Sequence, residues 1–417
     1  MKLTKQELDA MIREVVGDAL ADMRKEMEET RRRWADKIVS TNPPTNDGFK
    51  AVPENDRRGI RAARFLRALA AGKGDPDRAV KVAKNWLDRT KSSLDEEIVK
   101  ALGESATETG GAIVPDEYVA EVIDLLSARA VVRSLGAQVV PMNSGSMTMP
   151  YLATGSTAEY VGENQNIQVT QPSFGQLQLS AKKLAALVPI SNDLLRDASP
   201  RADVIVRNDL VRSMALREDL AFIRDDGTAN KPKGMRYWAD PDHVFTRTKE
   251  GTSVTLDEVT ADLARAIQLL EEANVPLERA GWIFTPRTKW FLMKLRDGNG
   301  NLVFKPEMDQ GTLFGFPYRT TTQIPNNLGT GGNESEVYFA DFGSLIIAEN
   351  TQLMVDVFDG GAYFDGSQVV SGISTDQTIL RAIARHDFGA RYRGKEIAVI
   401  TGVDWGAVNA GGGGEGQ

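Results

Sequence analysis

The stretch IRDDGTANKPKGM, Ile223 to Met235, holds two adjacent carboxylates, two glycines, an asparagine and two lysines. Calcium loops, phosphate loops and tight turns all use such residues. A calcium loop of the EF-hand kind alternates its oxygen ligands and closes on a glutamate. Here Asp225 and Asp226 are neighbours, and the twelfth position counted from Asp225 is Arg236. A phosphate loop needs G-x-x-x-x-G-K-[ST], but Gly227 and Gly234 are too far apart and Met235 follows the second. The economical reading is a helix stop followed by a glycine turn. Gly227 supplies backbone freedom, Asp226 and Asn230 suit tight turns, and Gly234 closes the segment.

The flanking sequence explains why the chain must stop there. Upstream, Ser199 and Pro200 open a helix that runs to about Arg224, with Val206, Leu210, Met214 and Ala221 along one face. Before it, residues 145–191 read as a long β-hairpin whose return arm is QLQLSAKKLAALVPIS. So polar a hairpin has little to bury by itself, which points to a second copy of the chain as its support. Downstream, TLDEVTADLARAIQLLEEANV at 255–275 is the cleanest helix, with a Thr255/Glu258 capping box and Pro276 beyond its end. GWIFTP at 281–286 is a buried-type strand and RTKWFLMKLRDGNG a short helix with a turn. GFPYRTTTQIP, EVYFADF, SLIIAE, QLMVDVF, RAIARHDFGARY and KEIAVITGV read as further strands. The body is therefore α+β.

The N-terminal quarter is different in kind. Residues 3–39 read as one long amphipathic helix and 40–48 as a proline-rich linker. Two shorter helices follow at 57–72 and 75–90, the second capped by Asp75 with Pro76 in its first turn. The run Arg57, Arg58, Arg61, Arg64 and Arg67 lacks interleaved aromatics and reads as a solvated helix face, not a nucleic-acid site. Residues 91–115, small, polar and glycine-rich, read as an exposed linker. The charge divides the same way. Residues 1–100 hold 22 Lys and Arg against 18 Asp and Glu, and the remaining 317 hold 28 against 40, so a segment of +4 precedes a body of −12.

The chain of 417 residues has no cysteine and two histidines, His243 and His386, which excludes disulfides, thiolate metal sites and histidine-rich centres. No apolar run approaches a membrane span, and the N-terminus is no signal peptide, so a soluble protein of a reducing cytoplasm is expected. No G-x-S-x-G, H-E-x-x-H or dinucleotide fingerprint occurs, and LGTGGN at 328–333 has no helix after it. His386 beside Asp387 lacks a nearby nucleophile and reads as a surface or interface histidine.

The order LVPISNDLLRDAS at 187–199, long helix, FIRDDGTANKPKGM at 222–235 resembles the major capsid proteins of tailed bacteriophages, those with the Hong Kong 97-like fold. IFTPRTKWFLMKLRDGNGNLVF at 283–304, LFGFPYRTT at 313–321 and VYFADFGSLIIAENTQLMVDV at 337–357 keep the family's order, and ALGESATETGGAIVP at 101–115 resembles the start of its mature shell protein. The resemblance covers roughly residues 95–405. It implies a helical scaffolding segment over 1–100, removed between Lys100 and Ala101, and an N-arm over 101–131. A peripheral domain over 132–238 would carry the spine helix 199–224 and an extended loop 145–180. An axial domain over 239–348, a return through the peripheral domain over 349–380, closing strands over 381–408 and a disordered tail over 409–417 would follow.

The resemblance also implies a structural subunit with no enzymatic activity and no cofactor. It would assemble in the bacterial host cytoplasm into hexamers and pentamers of an icosahedral virion shell, enclosing double-stranded DNA without specific binding. Its other partners would be a portal, a maturation protease and a decoration protein, with no membrane. An encapsulin-type nanocompartment or a gene transfer agent shell shares the fold, though encapsulins lack so long an N-terminal segment; a metal-assisted hydrolase would need converging acids. Some members crosslink a loop lysine to a neighbour's asparagine with a glutamate as base. Here the lysine's position falls on Asn164, beside Gln165 and Asn166 at the loop tip, the acceptor's near Gln377 and the base's near Ala384 or Arg385, which implies a non-covalent shell.

Overall fold

The computed structural model describes residues 60–105, 130–154, 173–193, 200–249, 254–359 and 361–407, with Tyr118, Glu121, Leu125, Leu126, Arg129, Tyr160 and Gln171 placed singly. The helix expected over 3–39, the linker 40–48, the loop tip Asn164, Gln165 and Asn166, and the tail 409–417 lie outside the described residues.

Three helices come first: α1 (Ile60–Ala71), α2 (Pro76–Thr90) and α3 (Ser93–Ser105). Asp75 caps α2 as expected, accepting from the backbone N–H groups of Asp77 and Arg78 at 3.0 and 3.4 Å. The exposed linker expected over 91–115 is corrected by α3. Leu94, Ile98 and Leu102 recur at a helical spacing of four and are buried, and this stripe prevails over the small polar residues between them. Lys100 and Ala101 therefore lie within a helix.

The solvated arginine face is corrected too. Arg64 and Arg67 are buried, because α1 is covered by α2 and α3 on one side and by the spine helix and sheet on the other. Arg64 Nε donates to Asp95 Oδ1 at 2.8 Å, and its guanidinium lies 4.4 Å from the Trp86 ring. Both arginines thus spend their charge inside the helical unit.

The chain continues through α4 (Val131–Ser134), β1 (Gln138–Pro141), β2 (Ser146–Thr154), β3 (Ser173–Ser180) and β4 (Lys182–Ser191) to the spine helix α5 (Pro200–Arg224). At 25 residues α5 is about 37 Å long. Its first half buries Val206, Leu210, Val211 and Met214 in one core with α1, which α2 and α3 back, and with the sheet residues Val188, Ile190, Leu380 and Ala382. Its last turns bury Ala221, Phe222 and Ile223 in a second core with Tyr338, Ile347 and Phe388. The helix therefore lacks a single apolar stripe: its two halves are covered by different neighbours.

Beyond α5 come α6 (Met235–Trp238), β5 (Val244–Thr246), α7 (Leu256–Glu272), β6 (Ala280–Phe284), α8 (Pro286–Lys294), α9 (Lys305–Met308), β7 (Thr312–Leu313), β8 (Phe316–Thr320) and β9 (Ser335–Asp341). The last strands are β10 (Leu345–Asp359), β11 (Ala362–Phe364), β12 (Val369–Ser371), β13 (Gln377–Ala390) and β14 (Ile397–Val403). A four-stranded sheet has the order β1-β10-β13-β4, and a six-stranded sheet the order β5-β14-β9-β6-β8-β7. The capping box of Thr255 and Glu258 forms as expected. All five residues of β6 are buried, since α7 and α8 cover one face of the six-stranded sheet and the second core covers the other.

Two strand readings change. SLIIAE and QLMVDVF, read as separate strands, join in the 15-residue β10, with a register shift between Asn350 and Met354 absorbing the polar residues between them. The return arm expected to run unbroken to Ser191 pairs with β2 only as far as Ser180, and β4 then pairs with β13 in the four-stranded sheet. Leu177 and Leu179 at the hairpin's foot pack on Met142, Ile346 and Ala348 of the same chain, so the foot needs no second copy. The limits 348/349 and 380/381 fall within β10 and β13, and β13 runs from the core around the first half of the spine helix to the second core.

Candidate functional site: the spine-helix junction and the exposed apolar surface

The opening stretch folds into one compact turn. Asp226 Oδ1 accepts from the Thr228 hydroxyl at 2.8 Å and the Thr228 backbone N–H at 3.0 Å, which holds its carboxyl below the usual carboxylate range. Gly227 has φ +79° and Asn230 φ +61°, as a tight turn requires. Gly234 works differently. Its φ of −79° suits any residue, but a Cβ there would stand 2.6 Å from Arg224 N and 2.7 Å from Ala221 O. It is glycine because the returning chain lies flat on the last turn of α5, where its N–H donates to Asp225 O at 2.8 Å. The structure thus brings Asp226, Gly227, Asn230 and Gly234 together as a chain-reversal device. Among the described residues no group of three or more His, Asp or Glu could hold a metal ion.

Just above this turn lies a charge cluster that the sequence reading missed. Arg133 of α4 pairs through Nε with Glu218 of α5 and, at 2.9 Å, with Glu349 of β10; all three are buried. Asp219 accepts from the Val131 backbone N–H at 2.8 Å. Burial works to lower the Arg133 pKa, but Glu218 and Glu349 hold it above its ordinary value. Burial pushes Asp219 up to about 7, with Glu218 adding to the effect and hydrogen bonds from Val131 and Val132 opposing it.

His386, read as a surface histidine, is buried edge-on against Phe222 at 5.0 Å. Burial, with the charge of Arg133, lowers its pKa to about 4. The cluster's only trace in the sequence is the acidic pair Glu218–Asp219 within the spine helix, and its partners are scattered to position 386.

The two groups give opposite pH dependences. Asp219 is raised when folded, so its contribution is full below about pH 4 and is lost as pH rises through 7; His386 is depressed, so its contribution is present above its ordinary value of 6.5 and is lost as pH falls towards 4. Asp219→Asn is expected to remove the first slope and raise stability at pH 8 by about 1–3 kcal/mol, read by urea unfolding at pH 5 and pH 8. An equal effect at both pH values would contradict it.

Of the crosslinking positions, Asn164 lies outside the described residues, and the others sit in β13. Gln377 accepts from the Tyr363 hydroxyl at 3.1 Å, Ala384 pairs with Leu184, and Arg385 pairs with Lys183. Within one subunit, Lys182 and Lys183 lie at the far end of the β4–β13 ladder from Gln377, about 25–30 Å away. The outer surface instead keeps large apolar side chains at scattered places, including Phe174 on the hairpin, Ile205 on the spine helix, Trp290 on α8 and Phe364, Val369 and Ile373 around the β11–β12 hairpin. Among the described residues no helix is long and apolar enough to cross a membrane.

Comparison with known proteins places this architecture. Residues 110–402 match the model of the phage capsid family. The major capsid protein of Klebsiella oxytoca phage phiKO2 is 38% identical over 355 residues, 85% of this chain and 81% of that protein. That alignment is longer than everything beyond residue 110, so it takes in part of the N-terminal region. The capsid polyprotein of Pseudomonas phage PAJU2 is 26% identical over 84% of this chain, which spans 55% of the polyprotein's length. A solved structure from Mycobacterium phage Adephagia, 19% identical, superposes with a TM-score of 0.50 over 66% of this chain and 89% of its own, a likeness of fold. A family match over most of the chain, a relative at 38% identity and a shared fold have one meaning: the chain belongs to the phage capsid family.

Proposed function

We propose that the chain, as a major capsid subunit, tiles a closed icosahedral shell of hexamers and pentamers around packaged double-stranded DNA. The observation that carries this is membership of the phage capsid family, with a major capsid protein 38% identical over most of the chain, and the surface is in keeping with it. Large apolar side chains stand exposed on the hairpin, spine helix, α8 and the β11–β12 hairpin, well separated from one another. These side chains are available to neighbouring subunits in a shell. Individually modest contacts then sum across the shell. The acidic body suits DNA that is enclosed without being gripped. A portal, a maturation protease and a decoration protein belong to this reading as partners, assembly would take place in the host cytoplasm, and the role is structural, not catalytic.

Residues 1–100 serve as an assembly guide that is later removed. The matched family segment begins at residue 110, and the relative from phage PAJU2 is named a polyprotein. Cutting at Lys100–Ala101 would require opening α3, whose Ile98 and Leu102 are buried. Until then α1, backed by α2 and α3, covers the first half of the spine helix.

Negative-stain microscopy of the purified protein should show shells or capsomers, and a small monodisperse particle would refute the shell reading. Intact mass of protein from mature particles should correspond to a chain starting near Ala101, and a full-length mass would refute the removal. The same particles boiled in detergent should give a single monomer band. A ladder of linked rings would identify a reactive lysine elsewhere.

A further inference from the structure

We propose that a basic, aromatic groove on α8 receives the acidic turn after α7 of a second copy, forming a head-to-tail contact between neighbouring subunits. The inference rests on the shell reading above and adds to it a named pair of surfaces. The groove has a volume of ≈ 420 Å³ and is lined by Arg287, Trp290, Phe291, Lys294, Leu295 and Arg296, with Gly406 at one end. Its floor is apolar and its rim cationic, and no carboxylate lines it. Trp290 stands 57% exposed, with Lys289 Nζ 5.7 Å from its ring.

Two donors beside this groove lack acceptors. Arg287 Nη1 and Nη2 donate to the carbonyls of Asn326 and Val403, but its Nε is buried without a partner. Trp405 Nε1 is likewise buried and unpaired, on a ring stacked 6.5 Å from Phe291. Burial lowers the Arg287 pKa, with only Asp404 opposing. A site with a cationic rim and an apolar floor fits a carboxylate-bearing segment that also carries apolar side chains.

The chain has such a segment. Residues 271–278, EEANVPLE, set Glu271, Glu272 and Glu278 around Pro276 and Leu277. The three glutamates are exposed, and among the described residues neither Glu271, Glu278 nor Lys294 makes an ion pair. Position decides that the contact is between copies. The acidic turn enters β6 at its N-terminal end, while Arg287 and Gly406 follow the C-terminal ends of β6 and β14. The five residues of β6 put about 17 Å of sheet between the two ends. Two complementary patches at different ends of one molecule make a heterologous contact, and a heterologous contact repeated by rotation closes a ring.

Phosphate groups of nucleic acid are the competing occupant of a cationic groove with an aromatic. The apolar floor favours the peptide, and the experiment separates the two. In the full-length chain, Lys294→Glu/Arg296→Glu should lower the fraction of protein in shells or capsomers by about tenfold, measured by sedimentation, with unchanged circular dichroism and Tm. Adding Glu271→Lys/Glu272→Lys to the same chain should restore assembly to within about threefold of the original. The proposal is overturned if the groove variant assembles normally, if the exchange restores nothing, or if shells form normally and only DNA retention falls. If the unaltered chain forms no shells or capsomers, it is the shell reading itself that fails.

Discussion

Arg133→Met is expected to cost about 3–5 kcal/mol of subunit stability near neutral pH, the largest effect of any single substitution considered. The reason is what it leaves behind. Arg133 is the guanidinium paired with both Glu218, fully buried on α5, and Glu349, nearly so on β10. Methionine fills much of the volume but leaves both carboxylates in a poorly solvated site beside Asp219, itself pushed up to about 7 by burial. Such charges are neutralised by taking up protons, so the loss should shrink between pH 8 and pH 5. Replacing both partners, Arg133→Met with Glu218→Gln, should recover about half of it, since a removed pair costs less than a broken one. Urea unfolding at both pH values is the measurement. A loss below about 1 kcal/mol, or one that ignores pH, would show that the cluster does not join α4, α5 and β10 electrostatically.

Gly234→Ala is expected to cost about 2–4 kcal/mol, whereas Gly227→Ala should cost about 1 kcal/mol. A reading of turn residues alone would rank them the other way, because Gly227 has the positive φ of +79° and Gly234 does not. At Gly227 the nearest atom to a new Cβ is Lys233 Cβ at 3.2 Å, part of a side chain that can give. At Gly234 the obstacles are Arg224 N, Ala221 O and Ile223 C at 2.6–2.8 Å, backbone of the spine helix itself. Relief would require lifting α6 off α5, and with it Met235 out of the second core. Thermal melts of the two variants side by side decide the ranking, and equal Tm values would contradict the steric account.

The sequence by itself determined the elements whose signals are local. Asp75 and Pro76 opened α2, the Thr255/Glu258 box opened α7, and the Asp226–Gly227–Asn230 turn stopped the spine helix, because caps and turns are settled by neighbours within a few positions. Ordered motifs over 187–357 were also enough to indicate the capsid family, since their order survives even where single matches are weak. Tertiary structure alone decided the rest. Arg64, Arg67 and His386 are buried because helices and strands from other parts of the chain close over them, and no local pattern reports that. Residues 93–105 are a packed helix because α1 and α2 offer their Leu94–Ile98–Leu102 stripe a surface. Strand β4 leaves the hairpin because β13, nearly two hundred residues away, supplies the ladder its backbone groups require. Gly234 owes its identity to the helix lying against it. Contacts between residues far apart in sequence set these features, and that information exists only once the chain has folded.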